Sequence, residues 1–316
     1  MSFALLFAGQ GTQHAAMLPW LESEPVCRAA LDAMQRYTGA AWRERLLQAS
    51  TRSSNALAQP LITGTSLAAW AALNRHLCEQ GDAPDAAMPA VAAGYSVGEM
   101  AAFACARVLD ADDAIALAAQ RADLMDATVA GRDTGLLSVA GMDVEAVLAG
   151  APLLDCAIHI APDHAIYAGE TVVLDACHTQ LAALGATCKR LDVRVASHSR
   201  WMADAAVQFA SVLQNRSFNP PACSLVLNVT GAATRQVPVL RQGLSRQLCG
   251  TVQWAAAMDA IAEQGVRCVM EIGAGNALSR MWNTQHAGIP ARALEDFRDA
   301  AGAARWIRRN RGSSGF

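Results

Sequence analysis

The chain has 316 residues, of which 53% are hydrophobic and 17% are charged, and its formal net charge is −3. A chain of this length and apolar content can bury a large core, so we expect one large globular domain with room for a smaller insertion. The slightly acidic balance gives no general attraction to nucleic acid or to an anionic membrane surface, and neither is an expected partner.

The first predicted element is a buried strand. Residues 1–8 are mostly apolar, no cationic leader precedes them, and a Gly9-Gln10-Gly11 turn follows at once. These features indicate a strand rather than a signal peptide. We find no segment with the length and uniform apolarity of a membrane span, and the nine cysteines include no Cys-x-x-Cys pair. We therefore expect a cytoplasmic protein without disulfides or a metal site.

Helical patterns dominate the sequence from this turn to about Gln80. A loop over Asp82–Pro89 then leads into a predicted strand at Ala90–Gly94, and helical periodicity returns at Ala114–Val129. A strand that alternates with helices in this way indicates a parallel sheet covered by helices.

The end of the Ala90–Gly94 strand carries the motif Gly94-Tyr95-Ser96-Val97-Gly98. Gly-x-Ser-x-Gly between a strand and a helix is typical of a nucleophile elbow, in which the glycines permit a sharp turn that presents the serine hydroxyl. A helix that begins near Val97 directs its positive end at the site. Ser96 is therefore the predicted nucleophile, although the same motif also arises by chance in turns built from small residues.

From about Asp133 the pattern changes to short strands and helices. The predicted elements are a strand at Gly135–Ala140, a helix from Asp143, strands at Ala157–Ile160 and Ala165–Ala168, a helix at Thr171–Leu184 and a strand at Cys188–Val195. This β-α-β-β-α-β order predicts a ferredoxin-like subdomain over residues 131–199. Residues 1–130 and 200–316 are expected to form one α/β hydrolase-like domain around the parallel sheet.

The remainder of the chain returns to the first pattern. Its predicted elements are a helix at Trp201–Leu213, a strand at Ser224–Asn228, a helix at Trp254–Gln264 and a strand at Cys268–Ile272. Gly273-Ala274-Gly275 follows the last strand but lacks the third glycine of a dinucleotide-binding loop, so close helix packing is the favoured interpretation. The basic segment Arg305–Arg311 is expected to be the solvated face of a last helix.

Five motifs in a fixed order give the chain its resemblance to a known family. They are Phe7–Gln13, the elbow around Ser96, Gln120–Met125, Val195–Ser199 and Val252–Trp254. With these motifs the chain resembles the malonyl-CoA:acyl carrier protein transacylase family over nearly its whole length. The resemblance implies a ping-pong reaction that moves a malonyl group from malonyl-CoA to the thiol of an acyl carrier protein through a malonyl-serine. It also implies that the enzyme binds no cofactor of its own.

The resemblance assigns roles to individual residues. It implies that His198 is the general base for Ser96, and that Gln253 marks the backbone carbonyl that orients the histidine ring. The backbone N–H groups of Gln10 and Val97 are implied as the oxyanion hole, the pair of donors that stabilises negative charge on the reacting carbonyl oxygen.

Arg121 is implied to set the substrate class. Its planar guanidinium can hold the free carboxylate of a malonyl group through two parallel hydrogen bonds, a geometry that lysine cannot provide. Because carrier surfaces are acidic as a rule, we expect the basic residues Lys189, Arg190 and Arg194 to face the carrier.

Several positions depart from the commonest pattern of the family. Tyr95 stands where fatty-acid transacylases usually have histidine, and Ala8 and Ala274 stand where they have proline. The segments Leu244–Trp254 and Leu294–Arg298 resemble those of the malonyl-transferase subunit of malonate decarboxylase, the epsilon subunit. This closer resemblance implies a carrier that bears a 2′-(5″-phosphoribosyl)-3′-dephospho-CoA group, and contacts with the other subunits of that complex.

Three other functions remain open from the sequence. A malonyl-CoA:acyl carrier protein transacylase of fatty-acid or polyketide synthesis has the same chemistry and differs only in its carrier. An acyl thioester hydrolase on the same scaffold is disfavoured by Arg121. A non-catalytic carrier-binding subunit is disfavoured by the presence of both Ser96 and His198.

Overall fold

The computed structural model describes residues 2–78 and 87–312, which form a six-stranded and a five-stranded sheet with helices around them. The elements, in chain order, are β1 (Phe3–Phe7), α1 (Arg28–Thr38), α2 (Trp42–Arg45), α3 (Ala49–Arg52), α4 (Asn55–Cys78), β2 (Val91–Gly94), α5 (Gly98–Cys105), α6 (Ala111–Thr128), β3 (Thr134–Ala140), α7 (Val144–Gly150), β4 (Asp155–Ala161), β5 (His164–Glu170), α8 (Thr171–Ala183), β6 (Thr187–Arg190), α9 (Ala203–Gln214), β7 (Ser224–Val226), β8 (Ala233–Thr234), α10 (Val237–Arg246), β9 (Val252–Gln253), α11 (Trp254–Ala262), β10 (Cys268–Ile272), α12 (Ala277–Gln285), β11 (Ala291–Ala293) and α13 (Ala300–Arg311). Short 3-10 helices occupy Leu21–Ser23, Pro25–Cys27, Arg200–Met202 and Leu294–Asp296.

The larger sheet has the strand order β11-β10-β1-β2-β7-β8, and all neighbours are parallel except β7 and β8. Strand β1 lies inside it and every one of its residues is buried. Phe3, Leu5 and Phe7 pack into the hydrophobic core on one face of the sheet, whereas Ala4 and Leu6 pack into the core on the other. A strand buried on both faces must be apolar at successive positions, which explains the continuous apolar run at the start of the sequence.

Helix α4 is the longest helix among the described residues and packs against α1, α5 and α6. Its 24 residues are long and apolar enough to cross a membrane by length and composition, which corrects the expectation that no segment would be. However, 89% of its most apolar window is buried inside the protein, as in a core helix. The last helix, α13, is anchored to the end of α4 because Arg308 donates a hydrogen bond to the carbonyl of Leu77 at 3.2 Å.

The smaller sheet has the strand order β6-β3-β5-β4-β9. Its first four strands, with α7 and α8, follow the β-α-β-β-α-β order and pair antiparallel, as in a ferredoxin-like fold. The predicted fold class is therefore confirmed. The fifth strand, β9, lies outside residues 131–199 and pairs parallel with β4, where Ile158 is opposite Val252 and His159 is opposite Gln253. The domain boundaries stay a prediction.

Two predicted segments differ from the structure or fall outside it. The strand predicted at Cys188–Val195 ends at Arg190. The N–H of Leu191 still donates to the carbonyl of Leu136 in β3 at 3.0 Å, but that of Ala196 donates to the side chain of Thr134 at 3.2 Å, so regular strand pairing has ended there. The loop predicted over Asp82–Pro89 lies outside the described residues as far as residue 86.

The contact between β2 and α5 has no room for side chains. A β-carbon on Gly94 would lie 2.0 Å from the carbonyl carbon of Gly98, and one on Gly98 would lie 2.3 Å from the carbonyl oxygen of Phe7. Glycine at both positions therefore allows the strand, the turn and the helix to touch through their backbones.

We expect the substitution Gly94→Ala to prevent native folding, because the added methyl group meets backbone atoms that cannot move independently. The free energy of unfolding from urea titration and the near-ultraviolet circular dichroism report the loss. Gly150→Ala is the matched control, since a β-carbon at this helical position meets nothing within 4 Å. It should raise the free energy of unfolding by about 0.4–1 kcal/mol. A Gly94→Ala protein as stable as the wild type would contradict this account of the elbow.

Candidate active site

Ser96 lies on the turn between β2 and α5 with a positive φ of 55°, a conformation that residues other than glycine rarely adopt. Asn228, which is fully buried, holds this turn from both sides. Its Oδ1 accepts a hydrogen bond from the backbone N–H of Ser96 at 2.8 Å, and its Nδ2 donates one to the carbonyl of Gly94 at 2.6 Å. Surrounding contacts of this kind can sustain a strained backbone, and such strain often marks a functional site.

The hydroxyl of Ser96 faces an imidazole. Its Oγ lies 2.7 Å from Nε2 of His198, and Nδ1 of the same ring lies 2.7 Å from the carbonyl oxygen of Gln247. Because a carbonyl can only accept, Nδ1 carries the proton and Nε2 is left to accept the hydroxyl proton of Ser96. The structure thus brings the two predicted catalytic residues together as a nucleophile and a base.

The imidazole of His198 is held in its neutral form. His198 is 2% exposed. Burial is the largest cause that lowers the pKa of its imidazole, to about 3. The positive charge of Arg121 contributes to this lowering, whereas the hydrogen bond to the Gln247 carbonyl opposes it. A histidine with this pKa is unprotonated at neutral pH and can accept a proton.

The carbonyl that orients His198 belongs to Gln247, so the position predicted for it, Gln253, is wrong. Gln253 lies in β9, where its backbone N–H donates a hydrogen bond of 2.7 Å to the carbonyl of Asn228. Gln247 directly follows α10. The last carbonyls of a helix lack partners within the helix, which leaves that of Gln247 free to accept from the ring.

The two backbone N–H groups predicted to form the oxyanion hole belong to Gln10 and Val97. Within the described residues, neither the N–H of Val97 nor that of Gln10 has a hydrogen-bond acceptor. Val97 directly follows Ser96, whereas Gln10 belongs to the first glycine-rich loop. That loop is fixed by Gln13, whose Oε1 accepts from the N–H of Gly11 at 2.7 Å. The assignment of Gln10 and Val97 as oxyanion donors stays a prediction.

Arg121 lies in α6 and is 1% exposed. Its Nη1 donates to Oε1 of Gln59 at 2.7 Å, and its Nη2 donates to Oε1 of Gln247 at 2.8 Å. Its buried Nε has no hydrogen-bond partner among the described residues. Burial lowers the pKa of Arg121 to about 10, and Glu99 opposes this shift, so the guanidinium stays charged at neutral pH. A buried cation with a free donor suits an anionic group of a ligand.

Four polar residues of this site were not identified from the sequence. They are Gln59, Glu99, Asn228 and Gln247. The sequence did contain a signal for Glu99, because a single carboxylate stands among the small and apolar residues that begin α5. Asn228 ends a predicted strand, but Gln59 and Gln247 meet Arg121 only through long-range packing and carry no local signal.

The glycines after β10 pack against the first loop. A β-carbon on Gly273 would lie 2.8 Å from that of Ala8, and one on Gly275 would lie 3.0 Å from that of Thr12. The sequence favoured close helix packing for these glycines. A β-carbon on Gly273 would also lie 3.2 Å from Oγ of Ser66 in α4, but the nearest neighbours of both glycines belong to the first loop. Across residues 2–78 and 87–312, no group of three or more His, Cys, Asp or Glu side chains is arranged to hold a metal ion. All nine cysteines are unpaired.

Comparisons with known proteins agree on one family. A family model described as "Acyl transferase domain" matches residues 4–314. The malonyl CoA-acyl carrier protein transacylase of Mycobacterium tuberculosis is 32% identical over 300 residues, which cover 92% of this chain and 96% of the relative. That of Haemophilus influenzae is 29% identical over 306 residues and covers 93% and 95%.

Solved structures lead to the same group. The malonyl-CoA:acyl carrier protein transacylase of Xanthomonas oryzae superposes with a TM-score of 0.86 at 26% identity, over 96% of this chain and 98% of that chain. A malonyl-transacylase solved in complex with its type II PKS acyl-carrier protein gives a TM-score of 0.85 at 28% identity, over 96% and 99%.

The neutral state of His198 has a measurable consequence. We expect the rate at which a fluorophosphonate probe labels Ser96 to change less than about twofold between pH 7 and pH 5, because the pKa of His198 is about 3. A histidine with the usual pKa near 6.5 would lose more than about tenfold of its neutral form over this range. Ser96→Ala is the control for the labelled residue. A steep fall in the labelling rate centred near pH 6.5 would contradict the shifted pKa.

Proposed function

Because the chain belongs to the acyl transferase family, whose model spans residues 4–314, we propose that it transfers a malonyl group from malonyl-CoA to the thiol of an acyl carrier protein. The observation that carries this proposal is Arg121. It is a buried cation, and Gln247, which accepts its hydrogen bond, also contacts Ser96 and His198. The site can therefore hold a free carboxylate close to the nucleophile, as a malonyl thioester requires.

The first half-reaction acylates the enzyme. Ser96 Oγ attacks the thioester carbonyl carbon while His198 Nε2 takes the hydroxyl proton. As the tetrahedral intermediate collapses, the carbon–sulfur bond breaks, and His198 returns its proton to the sulfur of CoA. The N–H groups of Gln10 and Val97 are proposed to stabilise the oxyanion, and each such donor can contribute about 10²–10³ in rate.

The second half-reaction reverses these roles. The carrier thiol gives its proton to His198 Nε2, and its sulfur attacks the malonyl carbonyl on Ser96. The bond to Ser96 Oγ then breaks, and the proton on His198 returns to this oxygen. The enzyme is regenerated, and the malonyl group remains as a thioester on the carrier. No cofactor of the enzyme enters either step.

We propose a carrier of fatty-acid or polyketide synthesis as the acceptor. The curated relatives quoted above are named malonyl CoA-acyl carrier protein transacylases, and one related structure is a complex with a type II PKS acyl-carrier protein. We further propose that the reaction takes place in the cytoplasm.

A second candidate is the malonate decarboxylase epsilon subunit, for which the specific observation is Tyr95. Its ring packs edge-on against Trp254, with centroids 4.9 Å apart, directly beside the nucleophile. This ring stands at the position where fatty-acid transacylases usually have histidine. The carrier with the phosphoribosyl-dephospho-CoA group is therefore kept as an alternative acceptor.

Brief incubation with malonyl-CoA should give a malonyl adduct that intact mass spectrometry detects on the wild type and not on Ser96→Ala. Arg121→Ala should slow adduct formation by about 10²-fold, which corresponds to the loss of about 3 kcal/mol of charge-assisted hydrogen bonding. Arg121→Lys, which keeps the charge without the paired donors, is the control for geometry.

Two outcomes would contradict the transferase. If no adduct forms and no free malonate accumulates, the proposed mechanism is wrong. Rapid release of malonate without a lasting adduct would instead favour the thioester hydrolase.

The identity of the carrier can be tested on the isolated malonyl-enzyme. We expect malonyl transfer to a carrier with a phosphopantetheine arm to be at least about tenfold faster than transfer to one with the phosphoribosyl-dephospho-CoA group, a difference of about 1.4 kcal/mol in barrier height. The loss of the adduct mass over time gives both rates. The opposite preference would assign the protein to the decarboxylase system.

A further inference from the structure

One buried carboxylate in the site takes no part in the steps above. Glu99 lies in the first turn of α5 and is 1% exposed. Its Oε1 accepts from the backbone N–H of Asn228 at 2.6 Å, and its Oε2 accepts from Nε2 of Gln247 at 2.8 Å. Burial raises the pKa of Glu99 to about 8, although the two donors and the charge of Arg121 oppose that shift. Because both oxygens face N–H groups, the ionised carboxylate is the form that fits this arrangement.

The amide of Gln247 has only one orientation that satisfies its neighbours. Its Nε2 lies 2.8 Å from the carbonyl of Ser96 and 2.8 Å from Glu99 Oε2, and both of these are acceptors. Its Oε1 faces a donor, Nη2 of Arg121. A reversed amide would set oxygen against two oxygens and an NH₂ group against the guanidinium. The carboxylate of Glu99 therefore helps to fix the oxygen of Gln247 toward Arg121.

The guanidinium of Arg121 is held by neutral oxygens on two sides. Gln247 supplies one, and Gln59 supplies the other. The amide of Gln59 is itself oriented, since its Nε2 lies 3.5 Å from the sulfur of Met125. Two amide oxygens fix the plane of the guanidinium without a direct ion pair, so its charge remains available to an anionic acyl group.

We propose that Glu99 is a positioning residue for acyl selectivity: through Gln247 it holds the guanidinium of Arg121 in the plane that receives the carboxylate of the acyl group. This inference rests on the proposed function and deepens it. Glu99 makes no contact with Ser96 Oγ. It reaches Arg121 through Gln247, whereas its contact with the backbone N–H of Asn228 supports the Ser96 turn.

A neutral amide at position 99 cannot replace the carboxylate. The NH₂ group of a glutamine there would face either the N–H of Asn228 or the Nε2 of Gln247, and both are donors. Reversal of the Gln247 amide would relieve the second conflict, but it would then direct Nε2 at Arg121. The guanidinium would lose one of its two acceptors, and Gln59 alone would not fix its plane. A substrate with a carboxylate needs that plane, whereas an acetyl group does not.

The test is the substitution Glu99→Gln in the full chain, with kcat and KM for Ser96 acylation measured on malonyl-CoA and on acetyl-CoA. We expect the ratio of kcat/KM for malonyl-CoA to that for acetyl-CoA to fall at least about tenfold, mostly through the KM for malonyl-CoA. Equal losses on both substrates would overturn the proposal, because they would mean that Glu99 only supports the nucleophile.

Glu271→Gln is the matched control. Glu271 is also fully buried, and its two oxygens accept from the backbone N–H groups of Leu278 and Ser279 at 3.2 and 2.8 Å, without contact to Arg121. It should keep the wild-type selectivity ratio whatever it costs in stability. A fall in the ratio as large as that of Glu99→Gln would overturn the proposal, since any buried glutamate would then have the same effect.

Glu99→Asp covers the case in which Glu99→Gln does not fold. It withdraws the carboxylate from Gln247 by one methylene group and should lower the ratio by less than Glu99→Gln does. A wild-type ratio in Glu99→Asp would overturn the proposal.

Formation of the malonyl adduct on the wild type distinguishes a failure of the proposed malonyl transfer from a failure of the positioning role of Glu99. If it does not form, the proposed function fails, and if it forms while the variants keep the wild-type ratio, only the role of Glu99 fails.

Discussion

The site depends on a contact between backbones, in which β1, β2 and α5 approach more closely than side chains would allow. Gly94 and Gly98 make this approach possible, and the turn between them forces Ser96 into a positive φ of 55°. Asn228 then supplies two hydrogen bonds that keep the turn in place. The same backbone contact therefore packs the central sheet and presents the nucleophile. It lies at the carboxyl end of the parallel strands, where α/β folds commonly have their active sites.

The centre of the site balances three ionisable groups away from water. Glu99 and Arg121 are joined through the side chain of Gln247, and the ionised carboxylate, the form that its two N–H donors fit, offsets the charge of the guanidinium. The positive charge of Arg121 also disfavours a proton on His198. A base of this kind holds the serine proton only briefly and returns it readily to a departing thiolate. The same cation that suits an anionic acyl group therefore also sets the strength of the base.

The sequence was a good guide where the physics is local. The apolar run at Cys268–Ile272 gave the strand with the bounds that the structure has, and the glycines around Ser96 predicted the turn that presents it. The sequence was a poor guide to contacts that depend on residues far apart in the chain. Gln253 lies in a motif of the right kind, but its backbone is engaged by Asn228, and the free carbonyl belongs to Gln247.

The ends of the predicted elements also depend on whether the interactions that set them are local or long-range. The strand predicted to reach Val195 ends at Arg190. Leu191 still donates a backbone hydrogen bond to Leu136 of β3, but farther along the chain the N–H of Ala196 donates to the side chain of Thr134. The alternating apolar residues of this segment still pack inward, and they give a strand-like pattern without strand pairing. The partners of Gln59 and Gln247 depend on how distant helices meet, which no local pattern records.

The strand β9 has a consequence for how this architecture can be recombined. The edge of the smaller sheet at β4 is completed by Val252–Gln253, a segment encoded well downstream of the other four strands. The side chain of Thr251 adds a hydrogen bond of 2.7 Å to the carbonyl of Cys156 at the same edge. A graft that exchanges only residues 131–199 between relatives would therefore join the new β4 to an unmatched strand. The unit of exchange is discontinuous in the gene, and it includes the segment that leads into α11.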